Sequence, residues 1–218
     1  LWSYHAGTRV NSISISDDGR YIAAGSLTGS GKVFLFDRDS GTPLWTYVQG
    51  DHVYSVAVSA DGEYIAASGA GSGLHLFDKD SSTPLWSFEA SIQGIDISSN
   101  GDYIIGSHSY WNYSSGSSQA ESKLYLFSKD NSTPLWNYTF DCHQAHPKIS
   151  EDGKYLITGT SNQCKSGSSG HSQNIYFFNK SSNNPLWVYD AGENVHSPGI
   201  SADGLDLIVG SGDKIYAF

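Results

Sequence analysis

The sequence predicts an all-β fold: one five-bladed β-propeller with four antiparallel strands per blade, its last blade closed by the N-terminal strand. Three observations carry that expectation. Leu-Trp occurs at Leu1-Trp2, Leu44-Trp45, Leu85-Trp86, Leu135-Trp136 and Leu186-Trp187, with the tryptophans 43, 41, 50 and 51 residues apart. The glycine of an Asp-Gly or Asn-Gly pair (Gly19, Gly62, Gly101, Gly153, Gly204) follows each Trp at 17, 17, 15, 17 and 17 residues. Two independent markers moving together through five units define a repeat. Between them the apolar residues alternate with period two, and no segment has a 3.6-residue period.

The first unit runs as follows. Residues 10–16, VNSISIS, alternate and read as a strand. Asp17-Asp18-Gly19-Arg20 is a hairpin turn, its glycine supplying the positive φ that such turns need. YIAAGS (21–26) is the second strand, KVFLFD (32–37) the third, and LWTY (44–47) the fourth. Unit two repeats this as VYSVAVS, YIAAS, LHLFD and LWSF, and unit three as IQGIDIS, YIIGS, KLYLF and LWNY. Unit four compresses its first strand into 145–150 before YLITGT, IYFF and LWVY. Unit five has VHSPGIS, DLIVGS and KIYAF but no fourth strand, while LWSY at 1–4 is a spare one.

Four antiparallel strands repeated around a ring make propeller blades, and stacking each blade on its neighbours buries both of its faces. Pairing residues 1–4 with Lys214–Phe218 would close the ring and remove its open edges. The expected blades cover about 9–49, 50–90, 91–140, 141–190, and 191–218 plus 1–6, all in one domain, 1–218. The rival reading is a slice of a larger propeller or a solenoid, and it treats the matched ends as accidental. Pro147 and Pro198 fall at equivalent places in first strands, which suits an edge strand lining the central channel.

The segment FLFDRDSGTPLWTYVQG (34–50) resembles the tryptophan motif of PQQ-like propeller repeats: an Asp, a turn with Ser/Thr and Gly, a Trp, and a Gly five residues on. SADGEYIAAS (59–68) is similar to the strand-turn-strand core of WD40 repeats, and Phe36-Asp37 and Phe77-Asp78 stand where those carry Trp-Asp. The combined resemblance covers the whole chain and implies the propeller fold. Function does not follow from it, since propellers host enzymes, lectins and scaffolds. The chain departs from both patterns. No unit opens with Gly-His, and the adjacent cysteines and Glu/Asn/Asp calcium site of quinoprotein enzymes are missing, so no PQQ or other cofactor is expected.

A net charge of -10 with scattered basic residues argues against nucleic acid and anionic membranes as partners. No apolar run is long enough to span a membrane. There is no methionine, which suggests a processed form, an excerpt, or a sequence not read from its start codon. The turns 37–41 (DRDSG) and 78–82 (DKDSS) faintly resemble calcium loops but lack the distal bidentate Glu, and read as turn residues bonding their own backbone. A propeller glycosidase needs two carboxylates in the channel, and the expected inner strands carry one, Asp96. No enzyme and no bound metal is therefore expected.

Cys142 and Cys164 are the only cysteines, in loops that leave the same face of the ring. A disulfide between them is the expected state. Free thiols and a metal shared with His143, His146 and His171 are the alternatives. Asn112, Asn131, Asn137 and Asn179 each begin an N-x-Ser/Thr sequon, pointing to a glycosylated extracellular or cell-surface protein. Arg9, His52, His143 and Asn194 share an offset of seven from their tryptophans, in the loops entering the first strands. Two units carry insertions between strands two and three, at 108–122 and 161–173. The first reads HSYWNYSSGSSQAES, and its Tyr110, Trp111 and Tyr113 have no place in the blade. Aromatic rings among Ser, Asn and His suit protein surfaces and sugar rings. The expected ligand-binding residues are Tyr110, Trp111, Tyr113, His143 and His171. The expected function is a non-enzymatic binding or assembly module for a protein or glycan, with a self-associating surface-layer or filament subunit and a propeller enzyme such as a glycosidase as the alternatives.

Overall fold

A computed structural model of the chain describes residues 1–27, 30–112, 119–144, 146–164 and 173–218. It is all-β, with five antiparallel sheets and no helix among the described residues. Blade one holds β1 (Val10–Ile15), β2 (Tyr21–Ser26), β3 (Lys32–Asp37) and β4 (Trp45–Val48). Blade two holds β5 (Val53–Val58), β6 (Tyr64–Gly69), β7 (Gly73–Asp78) and β8 (Trp86–Phe88). Blade three holds β9 (Ile92–Ile97), β10 (Tyr103–Asn112), β11 (Gln119–Ser128) and β12 (Trp136–Phe140). In blade four the first strand is split into β13 (Cys142–Gln144) and β14 (Lys148–Ile149), followed by β15 (Tyr155–Cys164), β16 (Asn174–Asn179) and β17 (Trp187–Asp190). Blade five holds β18 (Val195–Ile200), β19 (Leu207–Ser211) and β20 (Lys214–Ala217). Within every blade the strands pair in sequence order, as expected for a meander.

The turn between the first two strands is built the same way five times. Its glycine has φ between 68° and 75° at Gly19, Gly62, Gly101, Gly153 and Gly204, a region that L side chains avoid. A serine hydroxyl donates to the side chain of Asp18, Asp61, Asn100, Asp152 or Asp203 two residues on. The same Ser oxygen accepts the N–H of the residue that opens or precedes the second strand. Backbone bonds then link turn to turn: Asp17 N–H to Ala60 O, Ala60 to Ser99, Ser99 to Glu151, and Glu151 to Ala202.

The first three joints between blades repeat one set of contacts. The Trp of a fourth strand lies against a Phe of the next blade's third strand, with Trp45 on Phe77, Trp86 on Phe127 and Trp136 on Phe178 at 5.3, 5.6 and 5.7 Å. Its indole N–H reaches the carbonyl of Lys79, Lys129 or Lys180 at 2.7–2.8 Å. The Tyr that opens a second strand fills the space beneath the next blade's turn glycine. A Cβ at Gly62, Gly101, Gly153 or Gly204 would run into the ring of Tyr21, Tyr64, Tyr103 or Tyr155. Burying several large apolar side chains at about 1.5–3 kcal/mol each makes these joints the main source of cohesion.

The expected closure of the ring is not formed. Residues 1–4 are in no strand, and blade five is a three-stranded sheet. Trp2 does dock like a fourth-strand Trp, 5.3 Å from Phe36 with its indole N–H on Arg38 O, and Tyr4 packs on Phe34 and Phe36. It lies on blade one without pairing to β20, because blades one and five do not meet. The apolar positions that closure would bury, Ile13, Ile15, Ile208 and Ile215, are 74%, 56%, 54% and 78% exposed.

Candidate functional site

First strands run along the inner edge of their sheets and line the central channel. Near its start each is interrupted at one residue. In β1, Val10 pairs with Ser26 and Ser12 with Gly25, leaving Asn11 as the extra residue. The same irregularity falls at Tyr54 in β5, Gln93 in β9 and His196 in β18. In blade four the register breaks in another way: between Cys142 opposite Cys164 and Gln144 opposite Thr160, β13 has His143 alone and β15 the extra residues. Bulges of this kind bend a strand and re-aim the extra side chain.

Three of these residues, Asn11, Tyr54 and Gln93, line a cavity of about 360 Å³ together with His146. Asn11 Nδ2 donates to Tyr54 O at 2.9 Å, and Gln93 Nε2 to Ser109 O at 3.3 Å. His146 lies over β9, where Gly94 makes room for it: a Cβ there would sit 2.6 Å from Nδ1. Burial, and then Lys148, hold the His146 imidazole below its ordinary pKa; burial, and then His146, do the same for His143. Both rings are thus biased to the neutral form. Deeper in the channel Asp96 is partly buried, with Lys148 at 3.5 Å and the Ile149 N–H on Oδ2 at 3.1 Å. Burial still raises its pKa. It is the only acid on the channel-lining strands, and those contacts engage both of its oxygens.

The insertion in blade three is a ladder where a loop was expected. β10 and β11 continue in register as far as Asn112 opposite Gln119, with Tyr110 opposite Glu121 and Trp111 opposite Ala120. Extended β15 likewise carries Cys164 out to face Cys142. β13 packs against β10 and β11, so this arm and the His143 region lie together. Of the expected ligand-binding residues, the structure brings His143 to the arm that carries Tyr110 and Trp111. The side chains of Tyr110 and Trp111, and Tyr113 and His171 altogether, lie outside the described residues. Sequence reading passed over Asn11, Tyr54 and Gln93. The available signal was a non-aliphatic residue one place after the first apolar residue of each first strand.

Residues 1–141 match the family model described as outer membrane protein assembly factor BamB. The chain belongs to that family. No curated protein matches it. Among solved structures, the Myceliophteria thermophila Cps50 (Swd1) β-propeller domain matches at 12% identity with a TM-score of 0.70. That match covers 97% of this chain and 65% of the other, so this BamB-family chain spans less than two-thirds of the propeller domain it resembles. The two likenesses agree on the propeller repeat expected from 34–50 and 59–68. They add no residue-level assignment.

Proposed function

We propose that this BamB-family chain is a non-enzymatic assembly module that grips an extended polypeptide at the channel mouth, beside the β10–β11 arm. The observation that carries this reading is the cavity lining. Asn11, Tyr54, Gln93 and a neutral-biased His146 offer hydrogen-bond donors and acceptors around a ring face, without a carboxylate pair. Such a lining suits the alternating N–H and C=O groups of a peptide. The family description, an assembly factor, supports a protein partner. Hydrolysis of the propeller-glycosidase kind calls for two carboxylates, and Asp96 stands alone with its oxygens engaged.

Binding of the chain to a peptide array and to an oligosaccharide array tests this, with Gln93→Ala and His146→Ala as controls. Peptide binding that either substitution weakens at least tenfold is the expected result. Sugar binding with the same sensitivity would change the ligand class, and binding indifferent to both would remove the site.

The proposal includes an extracytoplasmic location. It goes with a proposed Cys142–Cys164 disulfide and with sequons at Asn112, Asn131, Asn137 and Asn179, of which Asn131 and Asn137 are exposed. The backbone sets the two cysteines directly opposite each other across β13 and β15. Closing a loop of about 20 residues stabilises by roughly 3 kcal/mol in the chain-entropy model. Reduction should therefore lower the melting temperature by several degrees, and titration of the unreduced, unfolded protein should find no thiol. Two reactive thiols would remove the disulfide from the reading.

A further inference from the structure

Blade four breaks the pattern of the channel wall. Counted back from the apolar residue that ends each first strand, Lys148 stands where Ser14, Ala57 and Gly199 are in blades one, two and five. His146 stands where Ser12, Ser55, Gly94 and Ser197 are. Small residues thus give way to two bulky basic ones, and His146 reaches the cavity beside Asn11, Tyr54 and Gln93. His143 lies close enough to His146 for a charge on one to oppose a charge on the other. One acid faces this group from the neighbouring first strand. It is Asp96, at the matching place to Lys148 in blade three, with Lys148 Nζ at 3.5 Å. The strands packed on β13 and β14 add His108, Glu121 and Lys123 from the arm and the exposed His196 from β18. His108 is committed, its Nδ1–H donating to Ser91 O at 2.6 Å. Asp141, just before β13, lies instead beside Tyr138 and Tyr176.

We propose that this cluster makes the peptide grip selective by charge and reversible by pH: basic segments are held near neutrality, acidic ones in mild acid. The proposal rests on the reading of the cavity as a polypeptide site. Around neutral pH Lys148 and Asp96 cancel, as do Lys123 and Glu121, and the net charge of -10 over the whole chain favours basic segments. In mild acid His143 and His146 take up protons and stand in line with Lys148, while carboxylates on a bound segment keep their charge. Burial keeps both rings below the ordinary imidazole value, so the change sets in below about pH 6.5. Burial raises Asp96, which therefore loses its charge sooner than an exposed carboxyl and deepens the change. One added charge within about 6 Å of a ligand carboxylate changes affinity roughly tenfold in a partly solvated site.

Three capped peptides of equal length test this, alternating Thr with Asp, Thr with Gln and Thr with Lys. Their affinities for the full chain are measured at low salt near pH 7.5 and near pH 5. The Thr-Asp peptide should bind at least tenfold tighter in acid and the Thr-Lys peptide at least threefold weaker, with the Thr-Gln peptide between them. His146→Gln should bring the acid-to-neutral ratio for the Thr-Asp peptide below threefold, whatever it does to the affinity itself. Asp96→Asn keeps an acceptor for the Ile149 N–H and removes the counter-charge of Lys148. It should tighten Thr-Asp binding severalfold already near pH 7.5. The comparison on the parent chain stands even where a variant fails to fold. A Thr-Asp affinity that does not rise in acid, or that rises equally in a folded His146→Gln chain, would overturn the proposal. Peptide binding still weakened by Gln93→Ala would in that case leave the grip itself standing. Failure of all three peptides to bind at either pH would overturn the grip and this proposal with it.

Discussion

The two faces of this propeller are built on opposite plans. On the turn face, five copies of Ser-x-Asp/Asn-Gly repeat the same hydrogen bonds and the same positive-φ glycine, and tyrosines of four blades lie beneath the next blade's turn. On the channel-mouth face nothing repeats but the bulge. Its residue changes from Asn11 to Tyr54, Gln93 and His196, and blades three and four extend their second strands beyond it. Uniform contacts are what stacking requires, because every blade must meet the next in the same geometry. Varied side chains on that frame are what recognition requires. Substitutions on the first face should therefore cost stability, and substitutions on the second should cost binding alone.

The largest expected effect is Gly101→Val. It forces a branched residue to a φ of 71° and drives its Cβ into the Tyr64 ring. Strain and overpacking together should cost about 3–5 kcal/mol in urea unfolding. A loss under 1 kcal/mol would mean that the joint yields, and the uniform face would lose its explanation.

Trp86→Ala comes next. It removes the ring from Phe127 and the indole N–H from Lys129 O, for about 3 kcal/mol by the same measurement. Trp86→Phe should recover most of that loss and leave about 1 kcal/mol, the share of the hydrogen bond. Equal losses in both variants would show that the bond, and not the packing, holds the joint.

A smaller effect appears in acid. Burial holds the His75 imidazole below its ordinary value of 6.5, with Nδ1 paired to Ser87 Oγ at 2.7 Å. Below that value the unfolded chain takes up a proton that the folded chain refuses. Stability is thus full above about pH 6.5 and declines as pH falls toward the folded value. His143 and His146 act in the same direction. His75→Leu should flatten the decline between pH 7 and 5 followed by thermal melting. An unchanged slope would assign the decline to the channel-mouth histidines.

The smallest stability effect belongs to the recognition face. Tyr54→Ala and Gln93→Ala remove half-exposed bulge side chains, and each should change unfolding by no more than about 0.5 kcal/mol. Either variant losing more than 2 kcal/mol would make the bulge ring a structural device like the turns.

Much of the uniform face was legible in advance, since its signals are local. A Ser-x-Asp-Gly-x-Tyr stretch carries its own turn hydrogen bonds within six residues, and alternation marks each strand without reference to the rest. The candidate site was legible only in part. His143 and the unit-three insertion stood out, but the insertion read as a loop. Its serine-rich middle hides the register that carries β10 and β11 on to Asn112 and Gln119. Asn11, Tyr54 and Gln93 read as ordinary strand residues, because a bulge is a property of pairing and not of one strand.

By itself the sequence determined the strand order, the turn geometry, the count of five blades and the tryptophan that opens the fourth strand of blades one to four. All of these depend on residues within a few positions of one another. Only the tertiary structure decided which blade each Trp and Tyr would meet, and that four joints of this curvature leave Leu1–Tyr4 on blade one, away from β20. Those outcomes rest on contacts between residues 34 to 44 positions apart, as in the Trp45–Lys79 and Trp136–Lys180 bonds. A matching strand at each end of the chain is a local fact. Whether the two ends meet depends on the angle summed over every joint between them.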